Sequence, residues 1–199
     1  MIITFEGGEG AGKTTQTAQL CSHLESKGLP WLSLREPGGS RFSEDVRSLF
    51  FREGLDVMTE LLLVLASRRQ NIKEIIEPAL EMGKIVVIDR FVDSTLVYQG
   101  IVGGLGIEPV KQIMALTGTW MKPDLTFIMD TDPEIALKRI EPGDKFECRD
   151  IGFHQQLRRA FLDIAKDTHH RIIDSSGDRG KVGEEIRVMF NDFITKQHE

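Results

Sequence analysis

Short apolar runs alternate along the chain with segments whose apolar residues recur every three or four positions. Ile2–Phe5 opens the series as a strand. A helix from about Thr14 follows, with Thr17, Leu20, Cys21 and Leu24 on one face and Gly28 at its end. Pro30–Leu34 reads as a second strand. Ser43 is the expected N-cap of a short helix, with Glu44 and Asp45 in its first turn and Val46, Leu49 and Phe50 turned inward. A longer helix is expected from about Thr59 toward Glu81, bent near Pro78 and stopped at Gly83. Ile85-Val86-Val87-Ile88 is apolar throughout, the pattern of a strand covered on both faces of a parallel sheet.

Gly103-Gly104-Leu105-Gly106 reads as a loop before a helix opening at Pro109. Leu125–Met129 is a fourth strand, and Asp132-Pro133-Glu134 supplies the N-cap, first position and first-turn acid of another helix. Glu141–Arg149 is polar and charged around Pro142-Gly143 and is expected to be a mobile loop. Phe153, Leu157, Phe161 and Ile164 mark the next helix, Arg171–Asp174 a fifth strand, and Val182, Ile186, Met189, Phe190 and Phe193 the last helix. This alternation predicts an α/β fold with about five parallel strands, helices on both faces and ligands at the C-terminal strand ends.

One motif turns the pattern into chemistry. Gly7-Gly8-Glu9-Gly10-Ala11-Gly12-Lys13-Thr14 matches G-x-x-x-x-G-K-[ST] and lies between the first strand and the first helix, the setting a phosphate-binding loop requires. Its glycines let backbone N–H groups turn inward around phosphate oxygens, and Lys13 adds a mobile point charge. The Thr14 hydroxyl suits Mg²⁺, and the helix N-terminus faces the anion. The motif makes the fold a P-loop NTPase three-layer sandwich, and the chain a binder of a nucleoside triphosphate.

Composition narrows the partners. With 31 acidic against 25 basic side chains the net charge is −6, which argues against a nucleic acid or a membrane surface. The two cysteines, Cys21 and Cys148, lack metal-type spacing, so a reducing, cytoplasmic setting is expected. No signal peptide or membrane span is expected, the longest apolar run being Leu61–Ala66. The 199 residues suit a single P-loop domain.

Other charged residues group around the same strand ends. Asp89 follows four apolar residues and reads as the acidic group near Mg²⁺, and Arg90 beside it points to a phosphate cleft. The Arg35–Gly39 turn suits a second phosphate group. Glu9 opposes the electrostatics of its own loop, so it is expected to face a sugar hydroxyl or metal-bound water rather than phosphate. Arg47, Arg68 and Arg69 fit either a site or a solvated helix face. His23, His154, His169, His170 and His198 form no ligand or triad spacing and read as solvated or structural. A GTPase switch lacks support, since no Asn-Lys-x-Asp motif occurs.

These features together resemble the thymidylate kinase family over essentially the full length. The P-loop with Glu9 inside it, Arg35-Glu36-Pro37-Gly38-Gly39, the helix segment Leu61–Gln70, and Asp89-Arg90-Phe91 with Ser94-Thr95 and Tyr98-Gln99-Gly100 carry the resemblance in order. It implies transfer of the γ-phosphoryl group of ATP to dTMP, with Mg²⁺, in a homodimer. Glu9 would contact the deoxyribose 3′-hydroxyl or the metal's water shell. Arg47 and Arg90 would hold the acceptor phosphate, and Glu36 would belong to the same pocket. Arg68 would read the thymine edge, with Thr95 and Gln99 completing the base pocket, while Tyr98 would favour deoxyribose over ribose.

Two positions depart from the family. The residue four before Arg68, usually a stacking Phe, is Val64. The lid, expected at about 141–149, reads Asp144-Lys145-Phe146-Glu147 where members without a P-loop Arg carry Asp-Arg-x-Glu. Lys145 is therefore the expected catalytic cation, with Arg149 and Arg139 as alternatives. A lysine provides charge without a guanidinium's two-pronged bonding.

Overall fold

The computed structural model describes residues 1–197. Five strands form one parallel sheet: β1 (Ile2–Glu6), β2 (Trp31–Arg35), β3 (Ile85–Asp89), β4 (Leu125–Asp130) and β5 (His170–Asp174), ordered β2-β3-β1-β4-β5. Parallel neighbours need crossover connections, and these put helices on both faces. Side chains of β1 alternate accordingly. Ile3 and Phe5 join Val87, Phe127 and Ile173 beneath α1 (Lys13–Ser26) and α9 (Arg179–Gln197). Ile2 joins Val86 and Ile88 against α3 (Val57–Asn71) and α6 (Ile107–Leu116). A smaller cluster packs Ile128 under Leu157 and Phe161 of α8 (Ile151–Ile164). Each fully buried Leu, Ile or Phe contributes about 1.5–3 kcal/mol to holding these layers together. Among the described residues no helix is long and apolar enough to cross a membrane.

Several boundaries differ from those read in the sequence. The N-cap of α2 (Arg41–Phe50) is Ser40, whose Oγ accepts from the Ser43 backbone N–H at 3.1 Å. Ser43 is instead buried inside the first turn, where its hydroxyl donates to Ser67 O and Asn71 Oδ1 at 3.0 and 2.8 Å. That exchange is set by contacts some thirty residues away. Leu49 is 40% exposed rather than inward, leaving Val46 and Phe50 to carry the buried face.

The long helix begins earlier, at Val57 with Asp56 as its cap, and changes to a π-helical turn over Ile72–Ile76 before the short α4 (Glu77–Glu81). The change falls just ahead of Pro78, whose missing N–H and ring bulk disfavour an unbroken α-helix. A second π-helical stretch, Leu96–Val102, follows α5 (Val92–Thr95) and carries Tyr98 and Gln99. The α6 helix opens at Ile107 after Gly106, two residues before Pro109. The helix at Asp132 is brief: α7 (Pro133–Ala136) continues as a 3₁₀ turn, Leu137–Arg139. His198 lies outside the described residues.

Candidate active site

The C-terminal ends of β1 and β3 hold the phosphate loop and its counterpart. Gly12 caps α1 at φ 92°, a conformation that L side chains rarely adopt. Gly10, at φ 68°, packs so closely on the Ala136 carbonyl that a Cβ would overlap it. Lys13 is 6% exposed and donates to Gly8 O at 2.6 Å. Burial, assisted by Arg90, lowers its pKa to about 8 against the opposing pull of Glu9, Asp89 and Glu6. Thr14 Oγ1 donates to Asp89 Oδ2 at 2.6 Å.

Arg90 has φ 67°, the only positive φ outside glycine among the described residues. Such a conformation persists where its surroundings over-determine it. Its backbone N–H donates to Phe5 O at 3.0 Å, and its guanidinium donates to Gly7 O at 3.0 Å and to Glu9 Oε2 at 2.6 Å. Tyr98 places its hydroxyl on Glu9 Oε1 at 2.7 Å and its ring 5.3 Å from the Arg90 guanidinium. Burial would raise the Glu9 carboxyl, but Arg90, Lys13 and Tyr98 outweigh it and hold it at about 2. Glu9 is thus an anion fixed between Arg90 and Tyr98.

Arg68 is 1% exposed. Nε donates to Glu36 Oε2 at 2.7 Å, and Nη2 donates to Phe91 O and Thr95 Oγ1, both at 2.9 Å. Glu36 Oε1 is buried without a partner, and burial raises the Glu36 pKa against the opposing pull of Arg68. Val64 lies beside them at 6% exposure. Arg47 donates to Pro37 O at 2.7 Å and stacks over Phe51 at 4.6 Å.

One cleft of about 810 Å³ joins these groups. Lys13, Thr14, Arg139, Gly177 and Arg179 line one part of it, and Glu36, Arg47, Val64, Arg68, Thr95, Tyr98 and Gln99 another. All the sequence-predicted site residues named for the acceptor therefore meet in one cavity. Lys145, the expected catalytic cation, is placed differently. It does not line the cleft but pairs with Glu60 of α3, its Nζ 5.0 Å from the ring centroids of Phe50 and Phe146.

The segment around it, expected to be a lid, forms a hydrogen-bonded turn. Asp144 Oδ1 accepts from the N–H groups of Phe146 and Glu147 at 2.8 and 3.1 Å. Phe146 packs among Phe50, Phe51, Tyr98 and Phe153. Of the alternatives, Arg139 lines the cleft while donating to Ser175 O and Ser176 O, and Arg149 stacks on Phe153.

Sequence reasoning missed Glu6. This fully buried carboxylate accepts from Phe91 N at 2.8 Å and Ser94 Oγ at 2.5 Å, and so braces the turn that presents Arg90. Burial, with Asp93 adding to it, raises its pKa to about 7. The signal available was an acid directly after the mostly apolar run Ile2–Phe5.

A parallel sheet ordered 2-3-1-4-5, a phosphate loop, and a second arginine-lined pocket in the same cleft define a P-loop nucleotide-dependent phosphotransferase. The family model described as "Thymidylate kinase" matches residues 5–186. The chain belongs to the thymidylate kinase family. It is 37% identical to the thymidylate kinase of Symbiobacterium thermophilum, over 99% of this chain and 95% of the relative. With that of Caldanaerobacter subterraneus it shares 44% identity over 86% and 85% of the two chains. The crystal structure of thymidylate kinase from Ehrlichia chaffeensis superposes with a TM-score of 0.77 at 35% identity, covering 96% of this chain and 98% of that one.

Proposed function

We propose that the chain transfers the γ-phosphoryl group of ATP to dTMP, giving ADP and dTDP for dTTP synthesis. The observation that carries this reading is the single cleft in which the phosphate loop and the Arg68–Thr95–Gln99 group open toward each other. The donor triphosphate lies on the loop amides and Lys13. Arg47 and Arg90 hold the acceptor phosphate in line with the γ-phosphorus. An acceptor phosphate is already a nucleophile, so positioning and charge stabilisation do most of the work and no strong base is needed. Glu9, held by Arg90 and Tyr98, stands where a sugar hydroxyl would meet the loop.

Thr14 and Asp89, two hard oxygen donors within one hydrogen bond of each other, fit Mg²⁺. Bound there, Mg²⁺ would neutralise phosphate charge.

The whole chain would act as one kinase domain with residues 141–149 as its lid, excluding water that would otherwise hydrolyse ATP. Lys145 is proposed as the lid cation, which requires it to leave Glu60 for the phosphates. Two unpaired cysteines support a cytoplasmic setting. Exposed Met58 and Leu62 on α3 support a homodimer, which light scattering would test. A coupled assay of ADP formation across dTMP, dUMP, AMP, CMP, GMP and thymidine tests the reaction. Strong dependence on dTMP is expected; ATP turnover indifferent to acceptor would overturn it.

A further inference from the structure

The Glu60 carboxylate lies between two functional elements. One oxygen pairs with Lys145 of the lid segment. The other lies 3.4 Å from Nε2 of Gln99, a side chain that lines the cleft and is itself 2% exposed. That distance is long for a hydrogen bond, yet a carboxylate discriminates strongly between the two ends of an amide. Nε2 carries hydrogens and is attracted; the carbonyl oxygen, turned to the same place, would face a negative charge with no proton between them. Glu60 therefore decides which way the Gln99 amide points, a choice that an isolated glutamine leaves open. With Nε2 turned to Glu60, Oε1 remains for the cleft, and among the described residues it accepts no hydrogen bond.

We propose that Glu60 is a specificity-determining positioning residue that fixes Gln99 as a hydrogen-bond acceptor toward the acceptor nucleotide's base. The chemistry selected is a ring imide N–H, as in thymine and uracil. Cytosine presents an unprotonated ring nitrogen at the equivalent edge, so two lone pairs would meet. A site that leaves buried polar groups unpaired with the wrong base rejects that base strongly. In this structure Lys145 pairs with Glu60 where the two side chains are 13% and 12% exposed; Gln99 meets the other carboxylate oxygen, so the orientation of its amide does not depend on Lys145 staying in place. The inference rests on the proposal that the nucleoside monophosphate base lies against Gln99.

The test is the ratio of kcat/KM for dTMP to that for dCMP, with ATP as donor, in the wild type, Glu60→Gln and Glu60→Asp. Wild-type failure to phosphorylate dTMP would sink the proposed function itself, whatever the variants do. Given wild-type activity, Glu60→Gln should lower the ratio at least tenfold, because a neutral amide tolerates either face of Gln99. Glu60→Asp, which keeps the charge, should recover at least part of it. Gln99→Leu should lose the same discrimination, and the double variant Glu60→Gln/Gln99→Leu should lose no more than Gln99→Leu alone. A purely structural role would slow both acceptors equally and leave the ratio unchanged, which would overturn the assignment. Additive losses in the double variant would do so as well. If Glu60→Gln fails to fold, Glu60→Leu against Gln99→Leu still decides: discrimination lost in both supports the proposal, and discrimination retained in Glu60→Leu overturns it.

Discussion

Replacing Arg68 by Met should cost about 3–5 kcal/mol of folding free energy, the range for removing one member of a buried ion pair. The stem of Met fills much of the space that the arginine leaves, so the cost is mainly electrostatic. Glu36 would keep a carboxyl 4% exposed with neither oxygen partnered, since Oε2 loses Arg68 and Oε1 has no partner to begin with. Phe91 O and Thr95 Oγ1 lose their 2.9 Å donor in the same step. Against a total stability of roughly 5–15 kcal/mol, the single variant would stand near its folding threshold.

Arg68→Met/Glu36→Gln removes the stranded charge as well as its cause. The two single costs should therefore exceed the double's cost by about 2 kcal/mol or more, within the coupling expected for directly bonded groups. Urea denaturation followed by circular dichroism, extrapolated to water at constant slope, measures all four corners of the cycle. A single-variant cost below about 1 kcal/mol, or strict additivity, would refute the claim that Glu36 depends on Arg68 for its charge. The double variant should also remain defective for dTMP, with kcat/KM down about a hundredfold and the KM for ATP little changed, because a restored fold does not restore the guanidinium proposed to read the base.

Gly10→Ala forces a Cβ onto the Ala136 carbonyl at a positive φ, so ATP affinity by calorimetry should fall at least about tenfold; unchanged affinity would show that the loop adjusts freely. Glu9, held at about 2 against an ordinary value of 4.5, contributes stability that is complete above 4.5 and is lost as pH falls through that window. Glu9→Gln should flatten that part of a melting-temperature-versus-pH curve. His169 is depressed below 6.5 by burial and then by His170, so the unfolded chain takes up its proton first and stability declines as pH drops below 6.5. His169→Gln should lessen the decline between pH 7 and 5 in the same melts. Lys145→Ala should cut turnover more than tenfold with little loss of dTMP binding in steady-state kinetics; if only Arg149→Ala does so, the lid charge belongs to Arg149.

What could be read in the chain follows the distance over which each contact acts. The phosphate loop is eight consecutive residues whose backbone does the binding, so its glycines and Lys13 declare it without help from the fold. Strands β1 and β3 were equally plain, because burial on both faces leaves no polar alternation to misread. The cap of α2 was not. Ser40 and Ser43 are both good caps, and the choice depends on Asn71, which accepts from the Ser40 N–H at 3.1 Å and the Ser43 hydroxyl at 2.8 Å. The π-helical stretches have no residue signature of their own, though one of them carries Tyr98 and Gln99.

Long-range partners of charged groups were the least legible part, and Lys145 shows why. Its expected place in a lid comes from the family resemblance of Asp144-Lys145-Phe146-Glu147. Its partner lies 85 positions earlier, on a helix where Glu60 reads only as a first-turn acid suited to the helix dipole. Glu6 is the same case, 85 positions from the Phe91 N–H that it accepts. Both carboxylates hold the groups that would meet the acceptor: Glu6 the Arg90 turn, Glu60 the Gln99 amide and the lid. The motif residues supply charges and donors in a recognisable order, while their aim comes from buried acids with no motif of their own. Substitutions at Glu6 or Glu60 should therefore alter what the cleft accepts and how well it aligns it, while the phosphate loop still binds its triphosphate.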